Sequence, residues 1–155
     1  DYGGHDNASG VSFSLENYGE LMKRIPAAAD SMARVKPSDE ILDIDAELPL
    51  EYLKPELLEV VELFEPYGQE NPPLTFLVKG VKIQSLDLVG KTEKAHVRML
   101  LDTGEFKWPA LYWNQAGRVN RDFAKGDSVD IVFRLGRNYF QNKESLQLTI
   151  LDLKK

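Results

Sequence analysis

The sequence predicts an α+β fold whose second half closes into a five-stranded β-barrel. Three observations carry that expectation. Apolar residues recur at intervals of three and four through much of the first half, then alternate in short segments after residue 72. Gly, Asn or Asp separate those alternating segments, as turns between strands require. The 155 residues, 43% hydrophobic and 28% charged, suffice for one medium domain or two small ones with modest cores.

The opening "DYGGHDNASG" reads as a Gly-Gly turn. Gly3 and Gly4 lack a Cβ, so their amides can form a concave nest for an anion, with His5 donating to the same oxygen. An ordinary turn carrying an exposed histidine is the plainer reading of the same residues. "GVSFSL" then alternates as a strand through Val11, Phe13 and Leu15. From Glu16 onward, Tyr18, Leu21, Met22, Ile25, Ala29 and Met32 fall on one helical face. Pro26 is expected to kink that helix or start a second one, because it lacks an N–H. "KPSDE" is a break. "ILDIDAEL" alternates through Leu42, Ile44, Ala46 and Leu48 as a strand with one acidic face. Pro55 suits the first turn of another helix, with Leu57, Leu58, Val61 and Phe64 as its stripe, ending at Pro66-Tyr67-Gly68.

Five strands follow: "LTFLVKGVKI", "AHVRMLLD", "FKWPALYW", "SVDIVFRL" and "SLQLTILDL". A longer connection between the third and fourth, "NQAGRVNRDFAKGD", has room for a short helix. That layout is the one expected of an OB-fold barrel, with a five-stranded open sheet as the alternative. Val97, Met99 and Leu101 are expected inside, which turns His96 and Arg98 outward. Val129, Ile131 and Phe133 are likewise inside, with Arg134 outside. In the third strand both faces are apolar, Phe106, Trp108, Ala110 and Tyr112 on one and Lys107, Pro109, Leu111 and Trp113 on the other. The pattern leaves open which of them fills the barrel. The domain reading is residues 1–36 as the end of an α/β domain, 37–71 as a connector, and 72–155 as the barrel.

Charge is divided unevenly. Residues 1–71 carry a balance of −11 and residues 72–155 one of +5, within a net charge of −6. The basic half hints at a polyanion partner, although the two halves attracting each other would need the same charges. The absence of cysteine excludes disulfides and thiolate metal sites and makes a reducing cytoplasm the expected compartment. No apolar run approaches a membrane span. "LVGKTEK" resembles the end of a phosphate-binding loop, but Ser85 stands where the pattern needs Gly, and the stretch joins two strands. Asp39, Glu40, Asp43, Asp45 and Glu47 read as a solvated strand face rather than a metal site. His5 and His96 lack metal-ligand spacing. No nucleophile–base pair is visible, so no metal site and no self-contained active site are expected in this chain.

The connection between the fourth and fifth strands, "RLGRNYFQNKESLQL", mixes cations with aromatic rings. Arg134, Arg137 and Lys143 flank Tyr139 and Phe140. Cations neutralise phosphates while aromatic faces stack bases, which is the combination a single strand needs. In OB folds this loop and the first edge the binding groove, and the first loop here adds Lys91 and Lys94. Each ring could instead plug the end of the barrel. Arg98, Arg134, Arg137, Tyr139, Phe140, Lys91 and Lys94 are the candidate DNA contacts.

Together these residues resemble the RecJ family of single-strand-specific exonucleases in the DHH phosphoesterase superfamily, over nearly the whole chain. "GGHDNASG" resembles the Gly-Gly-His-x-x-Ala-Ala-Gly signature of the DHH-associated domain, with Ser9 replacing the second Ala. "FEPYGQENPPLTF" resembles the Pro-Phe-Gly-x-x-Asn-Pro junction into the family's OB domain, and "NYFQNKESLQLTILDL" its closing part. The resemblance implies a metal-dependent phosphodiesterase that digests single-stranded DNA from its 5′ end in repair and recombination. It implies Mn2+ or Mg2+ held by a preceding DHH domain, and Gly3, Gly4 and His5 as the loop that meets the substrate phosphate. The chain is then expected to be a piece of a longer enzyme, monomeric and inactive by itself. Its expected partners are single-stranded DNA and single-strand-binding protein. A barrel serving mainly as a protein-docking module is one alternative. A phosphodiesterase acting on short RNA or cyclic dinucleotides is the other.

Overall fold

A computed structural model of the chain describes residues 2–5, 8–31, 41–90, 95–140 and 143–155. They divide into two compact units, Asp1–Ile41 and Leu42–Lys155. The segment read as a connector, 37–71, therefore lies mostly in one unit with the strands that follow it.

In the first unit, β1 (Tyr2–His5) pairs antiparallel with β2 (Ala8–Val11), in the register Gly3↔Gly10 and Gly4↔Ser9. This corrects the expected Gly-Gly turn: Gly3 and Gly4 run in a strand, one edge of which is paired with β2. The strand expected to continue through Phe13 and Leu15 stops at Val11. Leu15–Asn17 is a 3-10 turn leading directly into α1 (Tyr18–Ser31). Phe13 instead stacks on Tyr18, with ring centroids 6.4 Å apart. Pro26 lies inside α1, which runs through it without a second start. A proline removes only one hydrogen bond of the ladder. Met32, like Asp39 and Glu40, is outside the described residues.

The second unit is an OB barrel. After β3 (Ala46–Leu48) and α2 (Leu57–Leu63) come β4 (Phe76–Val89), β5 (His96–Asp102), β6 (Lys107–Tyr112), β7 (Ser128–Phe140) and β8 (Lys143–Lys154). The sheet order is β3-β4-β5-β6-β8-β7, and an additional β4–β7 pairing closes the last five into a ring. Neighbours in the ring are antiparallel except β6 and β8, which are parallel. Val97, Met99, Leu101, Val129, Ile131 and Phe133 are buried as expected. Trp108, Ala110 and Tyr112 fill the barrel from β6, which settles the face that the pattern left open. Among the described residues no helix is long and apolar enough to cross a membrane.

One strand serves three partners. β4 pairs with β7 over its first part and with β5 over its second, while β3 adds parallel to its start. The change of partner needs a bend. Val78 faces Ile131 and Val81 faces Val129, so two residues of β4 oppose Asp130 alone. The second of them, Gly80, has φ +75°, the left-handed conformation a bulge asks of glycine. Its N–H donates to the Asp130 carboxylate at 3.0 Å, which replaces the lost ladder bond.

The segment before β4 belongs to the same core. Only Ala46–Leu48 of the expected strand "ILDIDAEL" forms one, parallel to Phe76–Val78. The Asp45 carboxylate accepts from the Thr75 N–H at 2.7 Å, and Glu47 pairs with Lys79 at 2.9 Å. Two residues of the acidic cluster are thus tied to the barrel. After a 3-10 turn at Leu50–Tyr52, α2 buries Leu57, Leu58 and Val61, whereas Phe64 caps it from the solvent side rather than joining the stripe. The buried Trp108 indole donates its Nε1–H to the Leu53 carbonyl at 3.0 Å. Near the start of β7, the connection expected to hold a short helix forms a 3-10 turn at Ala116–Arg118 and seats Phe123 in the core. Arg118 reaches Asp122 at 2.8 Å, Asp152 at 3.1 Å and the Leu153 carbonyl at 2.8 Å, and also meets the Tyr112 hydroxyl. Burial pushes that hydroxyl up to about 12.

Gly80→Ala should destabilise the protein by about 1–2 kcal/mol, the usual cost of an L-residue in the left-handed region. Its added Cβ would meet nothing closer than 3.9 Å, so the cost is conformational. Gly117→Ala, in open space without a positive φ, should be neutral or slightly stabilising. Urea midpoints for the two variants check this, and equal midpoints would contradict it.

Candidate nucleic-acid interface

Alternation along the strands sends one residue in two out of the barrel, and the register aligns those residues across strands. Asp87, Arg98, Leu111, Thr149 and Arg134 form one such outward row through β4, β5, β6, β8 and β7. Arg98 and Arg134 therefore share a row, as the sequence suggests. Three strand spacings separate them, about 14 Å along a curved surface. They are two stations on the barrel, not one cluster.

Their electrostatic surroundings differ. Arg98 and Asp87 form a solvent-exposed pair at 3.3 Å, the kind that salt and competing ions readily loosen. Arg134 is half-buried, and its Nε donates to the Thr75 hydroxyl at 3.3 Å. Among the described residues, it is the one arginine of the second unit that faces no carboxylate.

The connection expected as a loop between the fourth and fifth strands is a β-ribbon. β7 and β8 pair from Asp130↔Lys154 out to Phe140↔Lys143. Beyond Leu135↔Leu148 neither strand has another partner, so Gly136–Phe140 and Lys143–Gln147 project as a two-stranded arm. Arg137 lies on it between two carboxylates. Its Nε meets Glu62 of α2 at 2.7 Å and its Nη1 meets Glu144. The bonds to Glu62 and then Glu144 hold the guanidinium pKa above its ordinary value. The charge that the sequence offers a phosphate is already neutralised, and it clamps the arm to α2. Tyr139 is 69% exposed, so this ring does not plug the barrel. Its hydroxyl bonds Glu144, which raises the tyrosine pKa and lowers that of the carboxylate.

The Phe140 and His5 side chains lie outside the described residues, as do Lys91 and Lys94. Gly3, in β1, has open space where a Cβ would stand, so a ligand can approach its backbone. No three His, Cys, Asp or Glu side chains among the described residues come together to hold a metal ion.

One exposed aromatic was missing from the sequence-derived set. Trp113 follows the inward Tyr112 and is 51% exposed, and it meets His96 edge-on with centroids 4.7 Å apart. The Asn114 N–H donates to His96 Nδ1 at 3.1 Å, which places the proton of the neutral ring on Nε2. The signal was parity: once Trp108 is fixed as core, Trp113 must leave the barrel.

The family described as the RecJ OB domain matches residues 44–152. Two relatives, each called single-stranded-DNA-specific exonuclease RecJ, align with nearly the whole chain. That of Bacillus subtilis (strain 168) is 23% identical over 151 residues, 97% of this chain and 19% of that protein. That of Thermus thermophilus is 26% identical over 154 residues, 99% of this chain and 21% of that protein. The crystal structure of T. thermophilus RecJ in complex with Mn2+ covers 100% of this chain with 22% of its own, at 27% identity and a TM-score of 0.55. The chain thus spans about a fifth of the length of the relatives it matches. With its β3-to-β8 unit matched almost end to end, the chain belongs to the RecJ OB domain family.

Proposed function

We propose that the chain is the C-terminal, DNA-binding part of a RecJ-like exonuclease that digests single-stranded DNA from its 5′ end in repair and recombination. The observation that carries this reading is the match of residues 44–152, closed barrel included, to the RecJ OB domain. In OB folds the face of the second and third strands and the loops at its edge receive oligonucleotides. Here that face is β5–β6, with Arg98 outward, and the β7–β8 arm that carries the exposed Tyr139 is the connection that edges this face in OB folds. Arg134 supplies a guanidinium with no carboxylate to displace among the described residues. The barrel holds the strand, while Gly3, Gly4 and His5 contact the phosphate that reacts. The divalent metal belongs to a part of the longer enzyme other than the residues described here, so no catalytic step is assigned to a metal in this chain.

A second reading, a docking module for a protein such as single-strand-binding protein, has one observation in its favour. The solvent side of α2 exposes Val60, Leu63 and Phe64, with Leu63 at 81%. Salt separates the two readings. Phosphate contacts give a steep fall of affinity with salt, and an apolar dock does not.

Three outcomes are expected. Arg134→Ala should weaken binding of every single-stranded sequence alike and flatten the salt slope by about one unit, while Arg137→Ala should leave the slope nearly unchanged. Titrations of labelled oligonucleotides at several salt concentrations measure both, and the reverse pattern would show that the clamp opens on DNA. In the intact enzyme, His5→Ala should lower the single-turnover rate far more than DNA affinity, because a group serving the reacting phosphate acts mainly in the transition state. An unchanged rate with weakened binding would reduce His5 to a positioning contact. The chain alone, given Mn2+ or Mg2+, should release no nucleotide from labelled single strands. Release lost on mutating a residue of this chain would refute the assignment.

A further inference from the structure

Phosphate contacts alone do not explain a preference for single strands, because a duplex presents phosphates more densely. An exposed aromatic face does, since only an unpaired, unstacked base can lie on it. Trp113 is such a face. It lies in the turn that directly follows β6, the strand that with β5 forms the face OB folds use for oligonucleotides. The indole is braced on the β5 side by His96, the two rings meeting in a T at 71° between their planes. The brace is itself fixed, because the Asn114 N–H holds His96 Nδ1 at 3.1 Å and the Ala116 N–H bonds the Ala95 carbonyl at 3.0 Å. Asn114 has φ +56°, a left-handed turn that asparagine tolerates, and it ends the strand where the ring emerges. Arg98, two residues beyond His96, leaves the same face of β5 and can meet the neighbouring phosphate. A ring this exposed on such an anchored turn loses little further freedom when a base stacks on it.

We propose that Trp113, braced by His96, is the residue by which the barrel selects single-stranded over duplex DNA, through stacking on an unpaired nucleobase. The inference rests on the reading of the barrel as a DNA-binding module.

The test uses the full chain and three probes of equal length: oligothymidylate, an abasic oligonucleotide and a duplex. The unaltered chain should bind oligothymidylate tightest. Trp113→Ala should weaken that binding by about 5- to 150-fold, the range for one lost stack. It should leave abasic binding and its salt slope unchanged, so the preference for bases over bare backbone, and for single strand over duplex, falls by the same factor. Trp113→Phe should keep most of the preference. An optical arm does not depend on the alanine variant folding. The chain has two tryptophans, and Trp108 is buried at 3% exposure. Oligothymidylate should therefore quench the emission of the unaltered chain and not that of Trp113→Phe. Equal quenching in both overturns the proposal, as does a Trp113→Ala variant that keeps its full preference, which would assign the ring to a protein contact. Salt-insensitive or absent binding of all three probes by the unaltered chain overturns the DNA-binding reading itself.

Discussion

Closure of the barrel depends on one backbone position. β4 can pair with both β5 and β7 in a closed ring only if it bends, and it bends where Gly80 takes φ +75° and hands its N–H to Asp130. Every proposed contact on the barrel inherits its place from that bend. The second part of β4 sets the register of β5, and so the outward turn of His96 and Arg98. The first part sets the register of β7, which carries Arg134 out of the barrel and continues as the arm. A straight β4 would still have a neighbour on each edge, but the sheet would not curl enough to close, and its outer edges would have to be covered.

The same bulges explain where the sequence was hard to read. Strand alternation was plain on β5 and β7, because each keeps one face in the core. On β4 the phase slips twice, so that Val78, Val81, Ile83 and Leu86 all point inward across two irregularities. A period-two pattern breaks at each slip, and the sequence showed the strand ending at Ile83, where it runs on to Val89. The arm was misread for a different reason. Beyond Leu135 the arm's described side chains meet the core through Leu146 alone, so little selects an apolar alternation and "GRNYFQNKES" looks like a loop. The family resemblance, by contrast, was carried by short motifs that are indifferent to these slips.

Counting charges overstated the cations available to a polyanion. The positive balance of residues 72–155 is real, but much of it is spoken for. Lys79 pairs with Glu47 and Arg137 with Glu62, each joining the basic half to the acidic one. Arg118, Arg121 and Lys155 are held by Asp122, Asp152 and Asp127. The two readings of the charge asymmetry, attraction between halves and a polyanion partner, therefore apply to different side chains. Pairing within the unit ties the segment before β4 to the barrel, as the Trp108–Leu53 bond does in the core. What remains for a ligand is a small set, with Arg134 distinguished by having no carboxylate to give up among the described residues.

Neutralised cations shift weight onto the aromatic surface. A barrel whose guanidinium groups are mostly paired gains less from counterion release than its composition suggests, so base contacts must supply a larger share of any selective binding. Among rings on the ring-closing strands and the turns between them, those of Phe76, Trp108, Tyr112, Phe123 and Phe133 are buried. Tyr139 is exposed but sits on an arm tethered through charge pairs, with its hydroxyl engaged by Glu144. Trp113 stands on an anchored turn, next to the strand that bears Arg98, with His96 against it and much of its surface in water. Leaving so large an apolar ring half in water forgoes burial that packing it against the barrel would have gained. That missing burial is what an unpaired base would restore.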